Sequence, residues 1–490
     1  MRRALEPVAI SVAGALAVWL MVGAGFVNYD AAYALLWGSD LASGRLPDYG
    51  IPVAPTPHPL ATLVAVGLAP LGAQGAAAVS VVGALGLLGV LGWLIYALGA
   101  HWFGPAAGAL ATLVILTRQP VLSFGVRAYV DVPYLVLVLG ALLVEARRPR
   151  AGLPVLGLLA LAGLLRPEAW LFSAAYVVYL AVAAEGGGIA PGTTVERRSD
   201  ARAADRRSLR ALAPLVLVAG CAPLLWGLSD LVVTGDPLYS LTGTRDNAEV
   251  LRRVTGIDQV PLTVPRRLGE ILREPVLLGA ALGGLLALAH LRRRVLLPAA
   301  AGVLALVAFC ILAAAGLPIL GRYLLLPAAL LAIFCGAGAF GWRALPDGHP
   351  WRRRWIGAAV VIGLALLAFT PPQVERIADL RASVGLQRAI ASDLTVLADS
   401  GAIRRECGPV AVPNHRPVPL LALRLDRPAA EIVSAQLRRP DRGFYVAPAN
   451  AGVERNFTLD PNDPERLTAR VPRGFARAGG NASWTLYRRC

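Results

Sequence analysis

The sequence predicts an α-helical polytopic membrane protein with about eleven transmembrane helices and a small C-terminal extracytoplasmic α/β domain. Three observations lead there. Of 490 residues, 56% are hydrophobic and 16% charged, and the mean hydropathy of +0.59 is far from a soluble average. Apolar runs recur along the first 370 residues. The net charge of +16 comes from arginine alone, with no lysine, and the arginines cluster in short connections between those runs. That pattern fits orientation signals rather than a nucleic-acid surface, so no nucleic-acid partner is expected. A lysine-free chain rich in Ala, Gly, Leu and Pro also suggests a high-GC bacterial genome, and hence a bacterial plasma membrane.

The first run, Val8 to Val27, is long enough to cross a hydrocarbon core of roughly 30 Å. Arg2 and Arg3 hold its start inside, and it is too long for a signal-peptide apolar region, so it is expected to remain as the first helix. A long external loop, 28–74, follows. It should carry a short helix from Ala31 to Ser43 and an apolar segment from His58 to Gly72 that lies on or dips into the outer surface. A full crossing there would turn every later basic loop outward.

The remaining expected spans are Ala76 to Leu98, Ala106 to Thr117, Val132 to Val144, Leu153 to Leu165, Ala169 to Ala184, Ala211 to Val233, Val276 to Leu291, Val295 to Leu317, Leu324 to Trp342 and Ile356 to Phe369. Cytoplasmic connections then hold Arg147, Arg148 and Arg150, six arginines from Arg197 to Arg210, Arg292 to Arg294, and Arg343 with Arg352 to Arg354. The external loop 235–274 has six arginines balanced by six acidic residues. Residues 1–370 form the expected membrane domain, and an odd number of crossings puts 371–490 outside.

In that tail, Gln373 to Ser400 reads as a helix, and PVAV at Pro409, VPLLALRL at Val418 and GFYVAP at Gly443 read as short strands. Cys407 and Cys490 bracket most of the tail, and a disulfide between them is expected if it lies outside the cell. Cys221, Cys310 and Cys335 fall in apolar spans and read as small buried hydrophobes. Asn456-Phe-Thr458 and Asn481-Ala-Ser483 match the glycosylation pattern by chance in a bacterial chain.

Six ionisable side chains, Asp30, Arg127, Asp131, Arg166, Glu168 and Arg322, sit at ends of these runs and all fall on the outer side. A charge at the bilayer centre costs about 2.5–3.5 kcal/mol on the insertion scale, so such residues persist at interfaces, in cavities or in sites. Helix caps and structural ion pairs are the competing readings: Arg166 with Glu168 or Asp131, and Arg127 with Asp131 four residues on. Asp40 and Asp48 read as solvated loop carboxylates, and Asp236 as a turn residue. No zinc-type Cys/His spacing, Ser-His-Asp order or P-loop is present.

The run YDAAYALLWGSDLASGRLPDYGIPVAPTPHPL resembles the first external loop of the GT-C superfamily of membrane glycosyltransferases, in its protein mannosyltransferase and aminoarabinose transferase branch. VRAYVDVPY, LLRPEAW and GRYLLLP extend the resemblance to Trp342. It implies Asp30 as catalytic base, with His58-Pro59-Leu60 matching the Pro-rich stretch, and Arg127 and Asp131 matching the second acidic motif. Arg166, Glu168, Arg322 and Tyr323 match the later motifs. The chain departs from that pattern in having Tyr29-Asp30 rather than paired acids, and in lacking a lysine found in some branches.

The chemistry points the same way: an outward site with no Gly-rich nucleotide cradle fits a lipid-borne donor better than a cytoplasmic nucleotide sugar. The expectation is transfer of a hexosyl or pentosyl group from a polyprenyl-phosphate sugar, acting as co-substrate, to a cell-envelope acceptor. Asp30 takes the hydroxyl proton, Arg322, Arg166 and Arg127 hold phosphate, and Asp131, Glu168, His58 and Tyr323 support or bind acceptor. No cofactor or metal ligand set is assigned, and a divalent-metal requirement stays open. A transporter or lipid flippase is the alternative, although no internal repeat is visible and the charges sit at one edge. A membrane-anchored sensor or scaffold would need only the tail.

Overall fold

The computed structural model describes residues 2–186, 198–458 and 470–490. Helices α1 (Arg2–Val22), α2 (Tyr29–Ala42), α3 (Pro59–Leu68), α4 (Gly72–Phe103), α5 (Pro105–Ile115), α6 (Gln119–Val126) and α7 (Asp131–Arg147) come first. They are followed by α8 (Leu153–Gly163), α9 (Glu168–Gly186), α10 (Arg198–Thr234), α11 (Tyr239–Val250), α12 (Val260–Leu272) and α13 (Glu274–His290). The helical series closes with α14 (Arg292–Ala314), α15 (Leu325–Phe340), α16 (Arg352–Ala368) and the long α17 (Thr370–Asp399). Of the basic connections used to orient the chain, Arg197 lies outside the described residues, as do the side chains of Arg198 to Arg210.

Among the described residues, five helical segments are long and apolar enough to cross a membrane singly, and eight if each bent helix pair is one span. α15 is almost wholly buried, enclosed by α4, α5, α13, α14 and α16, so it forms the bundle's centre. The outer helices instead expose large apolar side chains, among them Leu16 at 53%, Leu217 at 70% and Leu364 at 62%. A continuous apolar skin around a packed core is what a lipid-facing bundle needs, because its backbone groups are already bonded within the helices.

Several expected boundaries shift. The first helix ends at Val22, and the following segment runs extended into the site. Gly25 is required there: a Cβ on it would meet the Val126 carbonyl oxygen at 1.5 Å. That close approach lets Phe26 and Asn28 donate to the carbonyls of Val126 and Arg127, both at 3.2 Å. The loop 235–274, expected to be external, holds two helices, α11 and α12, that its mixed composition did not suggest.

The C-terminal region is a five-stranded mixed sheet with α17 packed beside it. Strands β1 (Val410–Val412), β2 (Ile432–Ser434), β3 (Gly443–Pro448), β4 (Ala476–Gly480) and β5 (Trp484–Arg489) lie in the order β2-β1-β3-β5-β4. β1 runs parallel to β2 and β3, whereas β5 is antiparallel to β3 and β4. The expected strand VPLLALRL is instead helix α18 (Val418–Leu425). Its Pro419 lies in the first helical turn, where a missing N–H costs nothing, and Val418, Leu421 and Ala422 bury one helical face.

Asn481 works inside this fold, donating to the Asp393 carbonyl at 2.7 Å and accepting from Ser483 and Trp484. Cys407 and Cys490 are disulfide-bonded, with Cα atoms 5.0 Å apart. One hydrophobic core joins Tyr33, Leu36 and Trp37 of α2 to Leu394, Val412, Leu421, Phe444 and Trp484. The first loop and the C-terminal region therefore fold together over the bundle.

Candidate active site

All six charged residues singled out from sequence, together with His58 and Tyr323, line one cavity of about 1170 Å³ between the bundle and the C-terminal region. Asp30 stands in the first turn of α2, whose N-terminus is capped by the Asn28 side chain accepting from the Ala31 N–H at 2.8 Å. Tyr29 fixes the next loop by donating its hydroxyl to the Val53 carbonyl at 2.8 Å. These bonds aim Asp30 inward, where Arg322 Nη1 donates to its Oδ2 at 2.9 Å.

Arg166 is held differently. Sitting in the turn between α8 and α9, it pairs with both Asp131 and Glu168 and is only 4% exposed. Its guanidinium carbon lies 4.2 Å from the ring centre of Tyr323 and 5.2 Å from that of Tyr134. Tyr323 also flanks Arg322 at 5.8 Å, so one ring lies against both cations.

The competing reading of a helical Arg127–Asp131 ion pair is not realised. Ala128 takes φ +56° and breaks the helix between them, so Arg127 closes α6 while Asp131 opens α7 toward Arg166. Arg127 Nη1 donates to Ser123 Oγ at 2.8 Å, and its enclosed Nε has no hydrogen-bond partner. Arg322 Nε is likewise enclosed without a partner. Both arginines line the cavity while these Nε donors stay enclosed.

His58 precedes α3 and packs edge-on against Trp226 at 5.9 Å. Burial pushes its imidazole down to about 4, against the opposing pull of the Asp30 carboxylate, so the ring is neutral at neutral pH. Asp236 takes the expected turn role, accepting from the Leu238 N–H at 2.9 Å. Asp48 accepts from Gly50 at 2.9 Å, and Asp40 pairs with Arg45 at 3.0 Å. Burial raises the Asp40 carboxyl above its ordinary value, more than a fully solvated group allows.

The cavity has further charged walls that sequence inspection passed over. Asp230, 1% exposed, accepts from Ser240 N and Oγ at 2.8 and 2.9 Å. Its signal was available as a carboxylate inside an otherwise apolar run. Arg253, Arg267, Glu270 and Arg416 also line the space, but nothing local to their sequence marks them. The wall is closed by Asn247, which donates to the Ala54 carbonyl at 2.7 Å, and by Thr56 and Thr244, whose hydroxyls meet at 2.6 Å. Among the described residues, no three His, Cys, Asp or Glu side chains come together as a metal-binding group.

Fold and cavity together define a polytopic helical membrane architecture with a polar chamber under an α/β cap. Its fold is similar to that of ArnT from Cupriavidus metallidurans bound to undecaprenyl phosphate, with a TM-score of 0.55 and 16% identity. That match covers 98% of this chain and 97% of the other. The apo form of the same protein aligns over 99% and 98% of the two chains with a TM-score of 0.49. No family model matches the chain, and no curated protein does.

Proposed function

We propose that the protein is a glycosyltransferase of a bacterial plasma membrane. It moves a sugar from a polyprenyl-phosphate donor to a hydroxyl of a cell-envelope acceptor on the outer face. The observation that carries this is the meeting of Asp30 and Arg322 inside a large chamber that also holds the Arg166 cluster. The solved neighbour binds undecaprenyl phosphate, which supports the donor class.

In the proposed single displacement, the acceptor oxygen attacks the anomeric carbon while Asp30 takes its proton. The bond from that carbon to the phosphate oxygen breaks, its electron pair stays on the departing lipid phosphate, and the sugar inverts. Arg322, whose side chain stays 20% exposed beside Asp30, stabilises that charge, and Arg127 extends the cationic wall. Arg166 with Asp131 and Glu168 holds the chamber's shape beneath them. The C-terminal region, which contributes His415 and Arg416 to the wall, receives the acceptor.

The test supplies purified full-length protein with radiolabelled polyprenyl-phosphate sugars and envelope acceptors. Asp30→Asn should lower label transfer by about 10²–10⁴-fold with an unchanged unfolding midpoint. Equal transfer by wild type and variant removes Asp30 from the role. No transfer from any lipid donor favours lipid transport instead.

A further inference from the structure

Three pairs of consecutive helices bend sharply at short breaks. α5 bends into α6 by 68°, α12 into α13 by 107° and α16 into α17 by 43°. The three corners meet. Arg118, between α5 and α6, donates from Nη1 to the Leu272 carbonyl at 3.1 Å, and Gln373 of α17 donates to the Thr117 carbonyl at 2.6 Å. Beside them is a notch of about 410 Å³ into which Arg273 and Arg376 face, and Pro120, Phe124, Glu270 and Ile271 line both this notch and the main cavity.

Arg273 is the unexpected residue. It takes φ 69°, ψ 162°, a backbone region that is essentially restricted to glycine. At two other corners with nearly the same backbone the chain does use glycine: Gly72 at φ 68°, ψ 170° and Gly104 at φ 100°, ψ 160°. An arginine kept where glycine is the relaxed choice implies a task for its side chain. Its enclosed Nε makes no hydrogen bond, although the exposed Glu274 carboxylate lies 3.5 Å away.

The surrounding charge is unbalanced. Arg118 feels the positive charges of both Arg376 and Arg273, and each of its three nitrogens already donates, to Val114, Thr117 and Leu272. Glu270 is occupied by Arg266 at 3.0 Å and Arg267 at 2.6 Å. Among the described residues, Arg376 has no carboxylate within ion-pair distance. Beside these cations the notch is also lined by the apolar side chains of Pro120, Phe124 and Ile271. Apolar flanks beside mutually repelling arginines suit a ligand with a hydrocarbon body and an anionic head.

We propose that this notch is a second ligand site, which holds the phosphate of a membrane lipid on Arg273 and Arg376 with Arg118 as a fixed charge behind them. It stands beside the chamber, with which it shares lining residues, and does not depend on glycosyl transfer. Two sources share this chemistry, a polyprenyl phosphate and an ordinary anionic phospholipid.

The test titrates acyl-labelled fluorescent phosphatidic acid into the full-length protein in neutral detergent. The double variant Arg273→Gly with Arg376→Gln should bind at least about tenfold more weakly. The glycine relaxes the corner, so its unfolding midpoint should not fall. Arg266→Gln, an exposed control, and Arg322→Gln, which disarms the chamber, should bind like wild type. Wild-type binding by the double variant, or equal loss in either control, overturns the site. Displacement of the probe by undecaprenyl phosphate before phosphatidylglycerol identifies the first source, and the reverse order the second. Inorganic phosphate competing as well as either lipid overturns the lipid assignment.

Discussion

Two guanidinium groups share the aromatic ring of Tyr323, yet they are built for different work. Arg166 is enclosed, 4% exposed, and saturated by Asp131 and Glu168. Arg322 has one carboxylate partner, a more accessible side chain at 20%, and an enclosed Nε with nothing to donate to. A buried cation with two anions is already charge-compensated, and removing it strands both partners. A cation with one partner and an accessible side chain can exchange carboxylate for phosphate. In the proposed mechanism the contrast separates a strut from a binding group within one chamber.

The most severe break of that comparison is Arg166→Gln, which leaves Asp131 and Glu168 buried without a counter-charge. It should cost about 3–5 kcal/mol, read as a lower unfolding midpoint in detergent and a lower yield of folded protein. A stable, well-folded Arg166→Gln with lost transfer would exchange the two roles. Arg322→Gln should do the opposite, lowering transfer by about 10²–10³-fold with little change in midpoint. Retained transfer in that variant would move phosphate binding to Arg127.

Tyr323→Leu sharpens the comparison, because one substitution removes the ring from both cations. About 0.5–2 kcal/mol should be lost, divided between a modest drop in midpoint and a several-fold loss of transfer. The smallest effect belongs to His58. Its folded-state value near 4 lies below its ordinary 6.5, so the unfolded chain binds the proton more readily between those pH values. The stabilisation this gives is complete above 6.5 and fades as pH falls toward 4. A His58→Gln variant lacks that component, so the midpoint of wild type should fall relative to the variant across this window. Parallel midpoint curves would show that His58 is not held neutral.

Much of the fold was legible because membrane crossing imposes a simple pattern, long apolar runs broken by charged connections. Asp30, Arg127, Asp131, Arg166, Glu168 and Arg322 stood out for the same reason, since a charge at the end of an apolar run costs free energy unless a partner or a cavity receives it. Polar segments gave weaker signals. In the loop 235–274, α11 and α12 carry charges of both signs, and their helical form depends on packing over the cavity. VPLLALRL fits a strand by composition, and only burial against α2 and α17 makes it α18. Arg253, Glu270 and Arg416 were missed because many loop residues share their chemistry, and proximity alone distinguishes them.

The sequence by itself determined that the chain is a membrane-embedded helical bundle with charges at its edge and a polar tail, because hydropathy and charge placement act residue by residue. Tertiary structure decided which charge meets which. Ala128 turned Arg127 away from Asp131, Gly25 allowed the approach that aims Asp30 at Arg322, and α2 was drawn into the core of the C-terminal region. Such pairings join residues as far apart as Asp30 and Arg322, 292 positions along the chain, and depend on distances that no local pattern encodes.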